Sequence, residues 1–330
     1  MNLLKNIKHS ITDLISVYTP WGTFHRDEDK ICNKYYSPQK PSLHINNTNI
    51  VIMIDGRYIH GGLTDRIRGI ATIYGYCKEK NIPFYINHTY PFLLQDYLAP
   101  NQYNWLISPD KISYNTNEAV PICLNSFTLP NKYHRIFMDF MIRKYKGKQI
   151  HLYTSTRFLD CNFSQNFNEL FRPTAQLQEA INRTTQLIGD KYTAMVFRFQ
   201  QLLGDFNEPG YKKLNQPERD KLINNCIKKV IELHNKKHPE NLILVTSDSI
   251  TFLQSIAKQL EFVRIIPGKV VHMDHTANAT FDTYMKSFID LFLLSKADKI
   301  YLLQTGEMYH SGFAQRAAMI NNKPYEEITF

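Results

Sequence analysis

Four short stretches of this 330-residue chain carry residues able to hold an anion or move a proton, and each lies in or just after an apolar run. Gly61-Gly62 leads into Leu63-Thr64-Asp65-Arg66. A glycine pair at a helix start offers free backbone N–H groups and the positive end of the helix dipole to a phosphate, although a plain turn needs the same residues. Arg198 stands within Ala194-Met195-Val196-Phe197-Arg198-Phe199. An unpaired guanidinium is costly there, so it needs either a pyrophosphate held in fork geometry or an internal carboxylate. Thr246-Ser247-Asp248-Ser249 follows another apolar run and can line a nucleotide or cap the next helix. Ser311-Gly312 opens the final helical pattern with the same two options.

Neither G-x-G-x-x-G nor G-x-x-x-x-G-K-[ST] is present, which removes the dinucleotide fingerprint and the Walker loop. Metal sites are also poorly specified. Asp27-Glu28-Asp29 spells D-x-D but lacks a preceding apolar strand, and His272, Asp274 and His275 have no distant Cys, His or Asp set to complete a tetrahedron. No metal cofactor is expected.

The elements that must position these residues follow from periodicity. A continuous apolar run over 50–54 predicts a strand buried in a parallel sheet, 64–80 a helix with one apolar face, and 83–86 a second strand, together a β-α-β unit. Residues 90–170 show only modest periodicity, around 133–144 and 149–153. A helix over 174–188 ends at Gly189-Asp190, a hinge candidate. Strands at 194–199, 242–245, 270–273 and 299–303 then alternate with helices at 217–235, 250–260, 281–294 and 312–321, which implies a parallel sheet covered on both faces. Two α/β domains are therefore expected, 1–188 and 189–330, facing each other across a cleft that is the default ligand site.

Composition excludes several classes. With 43% hydrophobic and 21% charged residues the chain has the apolar content of a folded protein, not a disordered one. The net charge of +9 favours anionic partners without choosing among them. The RNP, KH, helix-turn-helix and zinc-finger patterns are missing, so no nucleic-acid partner is expected. Five cysteines without a C-x-x-C pair read as reduced thiols of a cytoplasmic protein. No apolar run is long enough to span a bilayer. Leu3, Leu4, Ile7, Ile11, Leu14 and Ile15 recur at helical spacing, which makes residues 1–17 either a packed helix or a peripheral contact with the inner face of a membrane.

Gly61-Gly62-Leu63-Thr64-Asp65-Arg66-Ile67-Arg68-Gly69-Ile70 resembles the G-G-L-x-D-R-[IL]-x-G motif of the GDP-fucose-dependent fucosyltransferase superfamily, including its nodulation and plant xyloglucan members and a bacterial polysaccharide-biosynthesis branch. Arg198 is similar to its motif arginine. Asp290 through Ser295 to Asp298, followed by Ser311-Gly312-Phe313, is similar to its C-terminal D-x-x-x-L-S-x-[AC]-D and S-x-F signature. The resemblance implies a GT-B-like fold of two Rossmann-like domains and an inverting, metal-independent transfer of fucose from GDP-fucose to a glycan acceptor, free or lipid-linked. It makes Arg198 the pyrophosphate ligand, Gly61 and Gly62 the close-approach loop, Asp290 a guanine contact and Ser311 a β-phosphate ligand. Ser247, Asp248 and Gly312 would line the donor site. Val196 replaces the polar residue found two positions before the motif arginine, and the acidic residue expected soon after it is displaced to Asp205 or Glu208, the candidates for general base. A catalytically silent nucleotide-sugar or glycan-binding protein of the same fold is the alternative.

Overall fold

A computed structural model describes residues 23–124, 131–155, 161–205, 212–268 and 280–330. The helix expected within 1–17, the strand expected at 270–273, the cluster His272, Asp274 and His275, and Glu208 lie outside the described residues. The chain divides into two compact units, one up to Leu94 and over Pro100–Arg172, the other over Gln95–Ala99 and Pro173–Phe330. The helices are α1 (Thr23–Tyr35), α2 (Leu63–Lys80), α3 (Asn131–Lys144), α4 (Phe163–Leu170), α5 (Ala175–Ile188), α6 (Gln216–Lys237), α7 (Ile250–Gln259), α8 (Phe281–Lys296) and α9 (Phe313–Ile320). The strands are β1 (Asn49–Ile54), β2 (Phe84–His88), β3 (Leu98–Pro100), β4 (Ala119–Cys123), β5 (Gln149–Tyr153), β6 (Phe171–Pro173), β7 (Tyr192–Phe197), β8 (Leu242–Ser247), β9 (Val263–Ile265), β10 (Lys299–Gln304) and β11 (Tyr325–Thr329).

The first unit is built on a four-stranded sheet of order β2-β1-β5-β4, parallel throughout. Its central strand β1 is apolar from Ile50 to Ile54 and fully buried, because a parallel strand is covered on both faces. Helix α2 ends where Asn81 adopts the left-handed conformation (φ 54°) and its N–H closes back onto the last turn. Gly69 in the middle of this helix has a packing reason. A Cβ there would meet the carbonyl oxygen of Thr154 at 2.7 Å and the Cα of Ser155 at 2.8 Å, so only glycine lets the helix lie against the backbone leaving β5.

The second unit carries a five-stranded sheet of order β11-β10-β7-β8-β9, again parallel throughout. Met195, Phe197, Val245, Tyr301 and Leu303 from the strands pack with Cys226, Ile227 and Val230 of α6 and Phe252 and Ile256 of α7. Asn215 and Glu218 form a reciprocal capping box at the start of α6. The boundary between the units falls at 172/173, not at the expected 188/189. Leu177, Ile181 and Ile188 give α5 an apolar face that packs on α8, which ties this helix to the second unit. Tyr97 belongs there too, its ring stacked on Phe281 at 4.8 Å and on Phe288 at 4.6 Å.

Among the described residues, no helix is long and apolar enough to cross a membrane. All five cysteines are unbridged. Replacing Gly69 with alanine is expected to destabilise the protein by roughly 1–3 kcal/mol, because the methyl group has rigid main chain on one side and helix on the other. Chemical denaturation of the variant against the parent measures this, and an unchanged midpoint would show that α2 can shift without cost.

Candidate functional site

In the second unit the strand order reverses at one place, between β7 and β10. In open parallel sheets ligands bind outside the carboxyl ends of the strands at such a point. Arg198 is the first residue beyond β7 and so stands at the switch point of the second unit. The strand stops at Phe197, two residues earlier than periodicity suggests, because the buried Asp248 captures the next amides. Its carboxylate accepts from Phe199 N–H at 2.8 Å and Gln200 N–H at 2.7 Å, and Gln200 turns into the left-handed region at φ 52°. The same carboxylate holds the Arg198 Nη1 at 3.1 Å. Of the two partners that the sequence left open for Arg198, the internal carboxylate is present. The guanidinium remains 17% exposed while Asp248 is 1% exposed, so the acid sits beneath the arginine as its anchor. Burial raises the Asp248 carboxyl above its ordinary value, and Arg198 and the two amides act against that rise.

The carbonyl of Arg198 accepts from Tyr309 N–H at 3.1 Å, which brings the loop before α9 to the same place. Ser311 is half-buried in that loop and its hydroxyl accepts from Phe313 N–H at 3.2 Å, while Gly312 is the N-cap of α9. Ser247, Asp248 and Ser249 are all buried at the carboxyl end of β8. The Ser247 hydroxyl accepts from Ser249 N–H at 3.1 Å, and Ser249 caps α7 through Phe252 N–H at 3.1 Å. Capping thus engages these hydroxyls in the chain alone.

Asp205, expected to act as a base, reinforces that cap. It accepts from the Ser249 hydroxyl, from Thr251 N–H at 3.1 Å and from the Thr251 hydroxyl at 2.8 Å. Asp290, expected at the guanine, is buried inside α8 in an ion pair with Lys286 one turn earlier. That pair must open before Asp290 can meet a base edge. The structure therefore gathers Arg198, Asp248, Ser311 and Gly312, and places Asp205 and Asp290 in internal contacts.

In the first unit Gly61 has φ +79° and Gly62 is the N-cap of α2. The Gly61 carbonyl accepts from Arg66 Nε at 2.9 Å, and Arg66 Nη1 donates to the Tyr90 carbonyl at 2.7 Å, so the motif arginine braces the glycine loop. Asp27 and Glu28 lie on helix α1 and serve structure: Asp27 pairs with Lys30 at 3.1 Å and Glu28 accepts from Cys123 N–H at 2.8 Å. Among the described residues, no group of three His, Cys, Asp or Glu side chains is arranged to hold a metal ion.

Sequence reasoning missed one group at the carboxyl end of β1. Asp55, the first residue beyond β1, faces Arg57 Nε at 3.3 Å and accepts from the Tyr153 hydroxyl at 3.3 Å. The Arg57 guanidinium lies 4.1 Å from the ring centre of Tyr35 and 4.7 Å from that of Tyr114. An acid followed by Gly-Arg after a buried strand was the available signal, but Tyr35 and Tyr114 are distant in sequence.

Two parallel-sheet units in one chain, the second with Arg198 at a switch point, are the arrangement of the GT-B class of fold. The solved structures most similar in shape include two of NodZ. The α-1,6-fucosyltransferase NodZ co-crystallised with GDP matches with a TM-score of 0.52 at 10% identity over 82% of this chain and 91% of that one. Fucosyltransferase NodZ from Bradyrhizobium matches with 0.52 at 9% over 82% and 92%. A mutant of Arabidopsis thaliana FUT1 in complex with GDP matches with 0.51 at 13% over 98% and 78%. No model of a known protein family matches the sequence, and no curated protein matches it. At these identities the likeness is one of fold, and it agrees with the fold class that the motifs imply.

The two acids should separate in stability measurements. Asp248→Ala removes the buried carboxylate that a guanidinium and two amides share and is expected to cost about 3–5 kcal/mol. Asp205→Ala removes the bonds that reinforce the α7 cap and is expected to cost about 0.5–2 kcal/mol. Denaturant unfolding reads both, and equal losses would contradict the division into anchor and cap.

Proposed function

We propose that this chain is a glycosyltransferase that moves fucose from GDP-fucose to a glycan acceptor, with inversion at the sugar and without a metal cofactor. The observation that carries the reading is Arg198. Its guanidinium stands at the switch point of a parallel sheet, fixed from below by Asp248 and still partly exposed, as a diphosphate ligand should be. The fold shared with structures that hold GDP supports the choice of donor.

In the proposed reaction an acceptor hydroxyl attacks C1 of the fucose from the face opposite the leaving group. The bond from C1 to the β-phosphate oxygen breaks, and negative charge grows on that phosphate as GDP departs. Arg198 would donate N–H bonds to the charge, helped by the first-turn amides of α9 beyond Ser311 and Gly312. Such preorganised donors stabilise a transition state without reorganising, and losing one typically lowers the rate by about 10²- to 10³-fold. Gly61 and Gly62 leave room for a ligand to approach the backbone. Asp205 is held in the α7 cap, so Glu208 becomes the first candidate for the base that takes the acceptor proton. A bacterial surface polysaccharide, with a peripheral membrane site reached through residues 1–17, is the proposed setting.

Melting of the protein with GDP, UDP, ADP or CMP tests the donor. GDP at about 100 times its dissociation constant should stabilise by about 2.7 kcal/mol, and Arg198→Ala should lose that gain while keeping its helical circular dichroism. Stabilisation by UDP but not GDP would overturn the assignment. GDP binding with no fucose transfer to any glycan would leave the silent binding protein as the answer.

A further inference from the structure

Helix α3 of the first unit carries a surface that the reaction above does not use. It is the crossover between β4 and β5, and His134, Phe137, Met138 and Met141 bury its inner face. Ile136 and Phe140 stand one turn apart on the opposite side, 58% and 56% exposed. Single apolar residues in water are ordinary, but two large ones at this spacing, facing away from the core, form a contiguous ridge. Around the ridge the charge is one-sided. Residues 131–148 hold six Lys or Arg against one Asp. The nearby carboxylates are engaged on the flanks: Glu79 pairs with Arg135, and Asp139 accepts from the Tyr76 hydroxyl at 2.6 Å and pairs with Lys80 at 3.2 Å. Arg143 and Lys144 in the last turn and Lys146 just beyond it are exposed, and none of the three has a carboxylate partner among the described residues.

Cations in a last turn suit the helix dipole, which accounts for Arg143 and Lys144 but not for Lys146 or the ridge beside them. A basic rim around an apolar ridge complements a surface that is negatively charged outside and apolar within. A nucleic acid would engage the cations and leave Ile136 and Phe140 in water, and an apolar protein face would cover the ridge and strand the cations. An anionic lipid layer answers both, with phosphates at the level of the cations and acyl chains below them. We infer that the outer face of α3 is a docking surface for the anionic leaflet of a membrane, with Ile136 and Phe140 entering the headgroup layer and Arg143, Lys144 and Lys146 meeting lipid phosphates. Docking needs neither donor nor acceptor, so it stands apart from the transferase reading, and it adds a contact to the one proposed through residues 1–17.

Cosedimentation of the full chain tests it, with vesicles of phosphatidylcholine alone and with vesicles of phosphatidylcholine and phosphatidylglycerol in a three-to-one ratio. The parent should pellet with the mixed vesicles only and be released by added salt, which screens exposed charges. Ile136→Ser with Phe140→Ser should weaken binding by about tenfold or more. Arg143→Gln with Lys144→Gln should weaken it by about fivefold per charge removed. Both pairs are exposed, so the melting temperature should stay at the parent's, which separates docking from folding. A parent protein that stays in solution with the mixed vesicles overturns the surface. So does parent-like binding by Ile136→Ser with Phe140→Ser, and if Leu4→Ser with Ile11→Ser then loses binding, residues 1–17 are the whole contact. Concentration-dependent dimerisation in gel filtration that the apolar α3 pair abolishes would assign the ridge to a second copy of the chain instead. Neither GDP nor a sugar enters the measurement, so a failure of the donor assignment leaves this result independent.

Discussion

The second unit depends on where the carboxylate of Asp248 is placed. A single buried carboxylate costs several kcal/mol unless donors surround it, and here four do, the amides of Phe199 and Gln200, the hydroxyl of Ser247 and the guanidinium of Arg198. The same contacts have three consequences. They end β7, because amides bound to a side chain cannot continue the ladder. They turn the chain at Gln200. They also restrict Arg198 to a narrow set of orientations before any ligand arrives, so that less conformational freedom is lost on binding. An ion pair that looks like an internal solution to a buried charge is thus also the means of presenting that charge.

The two units solve a similar problem with different means. Each sets an arginine and an aspartate just beyond the carboxyl end of a central parallel strand. In the second unit the acid comes from the neighbouring strand and is almost wholly buried, leaving the arginine partly open. In the first the acid precedes the arginine by two residues and two tyrosine rings lie close to the guanidinium.

The alternation of strands and helices was legible wherever strands are buried on both faces: 50–54, 194–197, 242–245 and 300–303 are continuous apolar runs. Edge elements were not. β11 reads Tyr-Glu-Glu-Ile-Thr and is only half-buried, and β9 has three residues, one of them Arg264, so neither shows a pattern. Helix α1 was hidden because its acidic run Asp27-Glu28-Asp29 masks an inward face at Ile31. For the site, residue types identified Arg198 and the loops around it, since a charge within an apolar run is a local signal. What Asp205 and Asp290 contact depends on chain turns and helix phase. Asp290 shows this plainly: its partner Lys286 lies four residues earlier, the spacing that places two side chains on one helical face, yet a family motif directs attention outward to a ligand.

That a shared shape survives at about one residue in ten follows from what the fold requires of each position. A central parallel strand needs apolar side chains on both faces but accepts any mixture of Val, Ile, Leu and Met, so identity drifts while pattern holds. Stricter demands arise where backbone meets backbone. Gly69 is one such place, because the Thr154 carbonyl leaves no space for a Cβ; Gly61 is another, because of its positive φ. Both glycines belong to the one motif that marks the start of the first unit. The most recognisable part of the sequence is accordingly explained by two steric requirements of the β1–α2 connection, and a glycine motif there is evidence first of how the helix seats on the sheet and only then of what the loop can bind.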